Sequence, residues 1–245
     1  MSSPVHMMMS GCDKMDVLKQ TLYMAAEEGD LELMLWMRKR GADVDAREGY
    51  VGGTALMRAC QMGRMLCIKL LFDSGADANA SSGGGDRTAL MHAAEKGHLP
   101  VLQLLLEKGA EVCIKDSDLW GALHFASRYG HSSCVALLLD SGADANDEVG
   151  KQYYTTALEL AALSGHMDTM QTLLTRGADP DKQIAKSSYE EHNVIEECVH
   201  RWHCNRESGG VSESKRKKVL AVLIQWSLGF PVEVKEIANY AEGAL

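Results

Sequence analysis

The chain has 245 residues, 46% of them apolar and 6% aromatic, with a formal net charge of -9 at pH 7. Its length and apolar content suffice for a continuous core and exclude a disordered chain, and the dominance of Ala, Leu, Met and Gly suits close helix packing better than a β-rich sandwich. The acidic balance excludes general binding to nucleic acid or anionic lipid, both of which need an excess of Lys and Arg, and would steer a basic partner surface towards the chain.

The first residues, M-S-S-P-V-H-M-M-M-S-G-C, have neither the basic start nor the apolar run of a signal peptide, so residues 1–17 are expected to form a flexible tail. No stretch approaches the roughly 20 apolar residues of a membrane span. Seven Cys, an odd number, lie mostly within apolar helical patterns rather than at disulfide-framework spacings. Reduced thiols and a cytoplasmic location follow as expectations, with the nucleus as the alternative.

From residue 18 a frame recurs five times. It reads L-Y-M-A-A-E-E-G-D from Leu22, T-A-L-M-R-A-C-Q-M-G-R from Thr54, T-A-L-M-H-A-A-E-K-G-H from Thr88, G-A-L-H-F-A-S-R-Y-G-H from Gly121 and T-A-L-E-L-A-A-L-S-G-H from Thr156. Gly29, Gly63, Gly97, Gly130 and Gly165 follow one another at 34, 34, 33 and 35 residues, and in each case a second glycine (Gly41, Gly75, Gly109, Gly142, Gly177) stands 12 residues on. A fixed internal length with variation confined to the loop before the next T-A-L marks a stacked repeat, whose insertions gather on one face. The leading Thr can cap a first helix, the Ala pair permits close helix approach, and the inner glycine ends that helix. In the second helix Val101, Leu102, Leu104, Leu105 and Leu106 form a nearly unbroken apolar surface, and the following glycine permits a left-handed cap.

Beyond residue 183 the pattern degrades. The run K-R-K-K-V-L-A-V-L-I-Q-W-S-L-G-F-P-V from Lys215 resembles a second helix, but its Gly229 lies 52 residues after Gly177. Residues 184–245 are therefore read as a degenerate capping repeat with the polar insertion R-E-S-G-G-V-S-E-S and a tail.

The elements T-x-L-H-x-A, the G-H turn, the L-L-L run and G-A-D-x-N, five times in register, resemble the ankyrin-repeat family over roughly residues 18–183. The resemblance implies an all-α solenoid of helix-turn-helix units with β-hairpin finger loops. Two departures stand out: Ala55, Ala89, Ala122 and Ala157 replace the family's Pro, and Gln20 and Thr21 stand where the first repeat would have its Thr.

Candidate chemistry is sparse. His92 and His124 are read as the T-x-L-H histidine, hydrogen bonded between adjacent loops, and His98, His131 and His166 as residues of the G-H turn. Cys198, His200, His203 and Cys204, with His192 nearby, have metal-ligand types, but on one helix Cys198 would point away from the others, so the segment is read as a capping helix and not a zinc site. Lys215 to Lys218 is either a localisation signal or the solvated start of a helix. Gly83, Gly84 and Gly85 are read as a flexible finger tip because no Lys-Ser or Lys-Thr follows them. No catalytic residue, metal, cofactor or small-molecule substrate is assigned.

The resemblance also implies where a partner protein would bind: at the finger tips and at the residue pair before each inner glycine. Carried over, these positions give Tyr50, Arg87, Asp116, Asp118, Trp120, Tyr153 and Tyr154 on fingers, and Met62, Lys96, Arg128 and Tyr129 at helix ends. Trp, Tyr and Arg are the types that dominate interface hot spots. Trp120 has two readings, partner contact or packing between neighbouring fingers. Asn79 and Asn146 occupy the G-A-D-x-N position that resembles the asparaginyl hydroxylation site of many ankyrin repeats; the amide is otherwise expected to steady the turn between helix and finger. The function expected is that of a non-enzymatic adaptor, chaperone or inhibitor, the alternative being a regulatory or targeting subunit of a separate enzyme. Neither membrane nor nucleic acid is expected as a partner.

Overall fold

The computed structural model describes residues 11–48, 52–149 and 155–180, together with Val222. The expected capping repeat, with Cys198 to Cys204 and Lys215 to Lys218, lies outside the described residues, as do Tyr50, Tyr153 and Tyr154.

Five helix pairs follow one another: α1 (Gly11–Glu28) with α2 (Leu31–Lys39), α3 (Ala55–Gln61) with α4 (Met65–Phe72), α5 (Ala89–Lys96) with α6 (Leu99–Glu107), α7 (Ala122–Tyr129) with α8 (Ser132–Asp140), and α9 (Ala157–Ser164) with α10 (Met167–Thr175). α1 starts at Gly11, so residues 11–17, expected in the tail, are helical; the segment has no Pro to stop a helix that continues into the first repeat.

The frame residues do what their chemistry suggests. Thr54 Oγ1 accepts the Met57 N–H at 3.4 Å and Thr156 Oγ1 accepts the Glu159 N–H at 3.3 Å, each capping a first helix. Asp30 Oδ1 caps α2 by accepting the Leu33 N–H at 3.0 Å. All ten frame glycines take positive φ, from 69° at Gly63 to 95° at Gly142, closing each helix with a left-handed residue.

The described residues form two compact units, one running to Ala93 and including Pro100–Glu111, the other containing Ala94–Leu99 and the residues from Val112 onward. In the first, α1 packs on α2 and α3, α3 on α4, and α2 on α4. In the second, α7 packs on α8 and α9, α9 on α10, and α8 on α10. Within each unit, then, first helices lie against first helices and second against second.

The Ala positions are what let the first helices approach. Ala25, Ala26, Ala59 and Ala93 are fully buried in the first unit, with Leu56, Ile68, Leu90, Leu102 and Leu105 filling the space around them. Ala94, Ala126, Ala161 and Ala162 do the same in the second, against Leu138, Leu158, Met170 and Leu173.

The fingers carry little strand. Single antiparallel bridges close two of them, Arg47 with Thr54 and Ser81 with Thr88. Another has a two-residue ladder of β1 (Glu148–Val149) with β2 (Thr155–Thr156), in register Glu148 to Thr156. The remaining finger is closed instead by the Asp116 N–H on the Trp120 carbonyl at 2.9 Å. Numbered by the repeat each leads into, the finger closed by Ser81 and Thr88 is the third and that of Asp116 and Trp120 the fourth.

Candidate functional site

Two sets of polar side chains lock successive repeats within each unit, and Asn79, Asn146, His131 and His166 belong to them. Asn79 Nδ2 donates to the Gly109 carbonyl at 3.2 Å while its Oδ1 accepts the Glu111 N–H at 2.8 Å. Asn146 repeats the arrangement with the Gly177 carbonyl at 3.0 Å and the Asp179 N–H at 2.8 Å. Each amide therefore ties its loop to that of the next repeat, using both donor and acceptor, rather than steadying its own turn as expected from sequence. Asp45, at the equivalent position, can only accept: it takes the Asp77 N–H at 3.1 Å, and burial pushes its carboxyl above the usual carboxylate range.

The residues after three of the inner glycines form the second set. His131 Nε2 donates to the Glu95 carbonyl at 3.0 Å, His166 Nε2 to the Arg128 carbonyl at 3.1 Å, and Arg64 Nε to the Glu27 carbonyl at 3.1 Å. Arg64 thus does for the second repeat what histidine does in the fourth and fifth.

The two T-x-L-H histidines separate. His124 is buried, accepts the Gly121 N–H on Nδ1 at 3.3 Å and donates from Nε2 to the Asp147 carbonyl at 3.2 Å. It is the inter-loop bond that was expected, and burial pushes its pKa down to about 4. His92 is not its equivalent. It stands four residues after Thr88, where His124 stands three after Gly121, and one step along a helix turns a side chain by about 100°. His92 lines a cavity in the first unit instead.

In the second unit the fourth finger and the end of α7 make one surface. Trp120 is half-buried and packs on its own repeat, with ring centroids 5.2 Å from Phe125 and 6.4 Å from His124. Arg128 lies over the Trp120 ring at 5.4 Å, a cation–π contact. Tyr129 beside it is 48% exposed, so a large aromatic faces solvent at the helix end. Asp118 is exposed, but Asp116 is buried: its Oδ1 accepts the Asp118 and Trp120 N–H groups at 2.9 and 2.8 Å, so this carboxylate shapes the finger from within.

Leu119, which the sequence reading passed over, sits at that tip with φ 68° and 40% exposure. A bulky residue in the left-handed region costs about 1–2 kcal/mol, and the Asp116 bonds hold it there. The only sequence signal was an apolar side chain directly after the polar run K-D-S-D.

The other helix-end positions behave more simply. Lys96 is exposed and pairs with its neighbour Glu95 at 3.0 Å. Met62, in the first unit, is 41% exposed. Arg58, four residues ahead of it and unassigned from sequence, is fixed by an ion pair with Glu27, a hydrogen bond to Gln61 Oε1 at 2.7 Å, and the Tyr23 ring 5.6 Å away. Arg87 lines the same cavity as Arg58 and His92.

Among the described residues, no helix is long and apolar enough to cross a membrane, and no three His, Cys, Asp or Glu side chains gather as a metal ion would need. The family model for ankyrin repeats, built of three copies, matches residues 22–116 and again 114–184. A comparison with curated proteins finds no match. With most of its length covered by that model and five helix pairs in its register, the chain belongs to the ankyrin-repeat family.

Proposed function

We propose that the chain is a non-catalytic interaction module, an adaptor, chaperone or inhibitor, which holds a partner protein on the fourth finger and the adjoining end of α7. Ankyrin repeats are in general protein–protein interaction modules, and the family is typically non-enzymatic. The observation that carries the reading is the group Leu119, Trp120, Arg128 and Tyr129: two apolar side chains exposed beside an Arg already stacked on a packed Trp. Exposed apolar and aromatic groups gain from being covered, and an Arg ordered in advance loses less entropy on binding. The odd cysteine count supports a reducing, cytoplasmic setting. We also propose Asn79 and Asn146 as hydroxylation sites, resting on the family resemblance of their D-x-N loops.

Purification of the full chain from its native cell tests the interaction. One protein recovered in stoichiometric amount, and lost from the Tyr129→Ala variant while the variant keeps its helix content, supports the reading. Recovery unchanged by Tyr129→Ala and by Leu119→Gly refutes this placement of the site.

A further inference from the structure

Among the described residues of the second unit, one cation has no carboxylate partner. Lys96 pairs with Glu95 at 3.0 Å, Lys115 with Asp147 at 2.7 Å and Arg176 with Asp140 at 3.0 Å. Arg128 is exposed, and its guanidinium makes neither an ion pair nor a hydrogen bond with a described residue. What holds it is the Trp120 ring, 5.4 Å below. A stacked guanidinium gives its face to the ring and keeps its N–H groups, which lie in the plane, for another group.

The ring beneath is itself fixed. Trp120 packs on Phe125 and His124, and its backbone N–H is held by Asp116 Oδ1 at 2.8 Å. Arg128 is therefore ordered before anything binds, and its planar fork matches a carboxylate in two parallel bonds. Exposed apolar side chains flank the stack, Leu119 next to Trp120 and Tyr129 next to Arg128. An ion pair left in water gains little, whereas one whose rim is covered by apolar groups is desolvated and gains more. The acid that fits must therefore arrive with apolar neighbours. The finger also limits how much negative charge it accepts, since it carries Asp116 and the exposed Asp118. A phosphate, with about -1.5 to -2 charges at neutral pH, is repelled by these more than a singly charged carboxylate.

We propose that the fourth finger and the end of α7 select a partner segment in which an Asp or Glu stands between large apolar residues, its carboxylate on Arg128. The proposal rests on the reading that the chain holds a protein at this surface, and names the chemistry of the part that is held. The net charge of -9 draws basic surfaces at long range. Arg128 sets the opposite preference at one contact, where it acts on specificity.

The probe is a phage-displayed library of random heptapeptides, selected on the full-length chain. The expected consensus is an Asp or Glu flanked by Leu, Ile, Met, Phe or Trp. A synthetic consensus peptide is then titrated calorimetrically against the wild type and three variants. Replacing its acid by the amide should weaken binding to the wild type at least about tenfold. Arg128→Gln should abolish that difference, Arg128→Lys should retain part of it because the charge stays and the fork goes, and Arg128→Glu should bind best the peptide with Lys in place of the acid. No enriched peptide, a consensus without an acid, tighter binding of phosphoserine at the acid's place, or an acid preference that survives Arg128→Gln would each overturn the proposal. The comparisons between peptides on the unaltered protein stand even if a variant disturbs the stack. A native partner lost from Tyr129→Ala but held by Arg128→Gln with unchanged affinity would remove the acid recognition and leave the interaction module in place.

Discussion

The imidazole of His131 lies against Gly97, so close that a methyl group on that glycine would overlap Nδ1 of the ring, while Nε2 of the same ring donates to the Glu95 carbonyl at 3.0 Å. Gly97 also has φ 70°. The glycine is thus fixed twice, by its own backbone and by the histidine of the following repeat. Gly109 has φ 87° but nothing within 4 Å of an added methyl group. Gly109→Ala is expected to lose about 1–2 kcal/mol, the left-handed cost alone, and Gly97→Ala roughly 1–3 kcal/mol more for the overlap. Urea unfolding midpoints measure both. Adding His131→Ala to Gly97→Ala should recover part of the loss, and strict additivity of the two changes would show that the ring is not the obstacle.

His124 sets a pH dependence. In the unfolded chain it titrates at 6.5; in the fold, burial takes it to about 4, and protonating Nδ1 would break the bond from Gly121 N–H. Between those values the unfolded chain holds a proton that the folded chain lacks. The stabilisation is therefore complete above pH 6.5 and lost as pH falls towards 4, by about 3 kcal/mol from this group. Unfolding free energies of the wild type and of His124→Gln, compared at pH 7 and 4.5, isolate it: the wild type should lose more than the variant, and equal losses would assign the acid sensitivity elsewhere.

Leu119→Gly separates strain from contact. Glycine relieves the left-handed φ of 68° but loses more chain entropy on folding, so stability should stay within about 1 kcal/mol of the wild type. Partner affinity should fall at least about tenfold if the exposed side chain is a contact. Calorimetric titration of the captured partner measures it. A large loss of stability would show that Leu119 supports the finger instead.

Hydroxylation of Asn79 and Asn146 requires both amides to leave their inter-repeat bonds. The finger after Asn79 is closed by the single bridge Ser81 to Thr88, that after Asn146 by the β1–β2 ladder. Local opening should be easier at the first. Mass spectrometry of protein made beside an active asparaginyl hydroxylase should find one added oxygen on the Asn79 peptide before the Asn146 peptide. The reverse order would contradict the role given to the fingers, and no oxygen on either would end the proposal.

Most of the fold was legible because the repeat repeats its physics. Thr at the cap, Ala where helices touch and glycine at each φ > 0 are local requirements, and five copies in register leave little choice of frame. The site was legible only where a residue acts alone. Tyr129 is exposed as its helix-end position implied, but Asp116 turned inward because two backbone N–H groups lie within its reach, a matter of loop geometry. Leu119 is presented by strain, and strain leaves no mark in the residue types. The cavity in the first unit joins Arg58 to Arg87, 29 positions apart in sequence, and His92 reaches it by standing one position off the expected histidine.

The most direct measurement is site-specific photo-crosslinking in the native cell, with a photoreactive benzoylphenylalanine in place of Tyr129 and, separately, in place of Leu66 on α4. Leu66 is 64% exposed and so at least as open to chance encounters as Tyr129. The expected result is one discrete protein adduct from position 129 and none, or only a diffuse background, from position 66. An adduct from position 66 alone, or the same adducts from both, would contradict partner binding at the fourth finger and the end of α7.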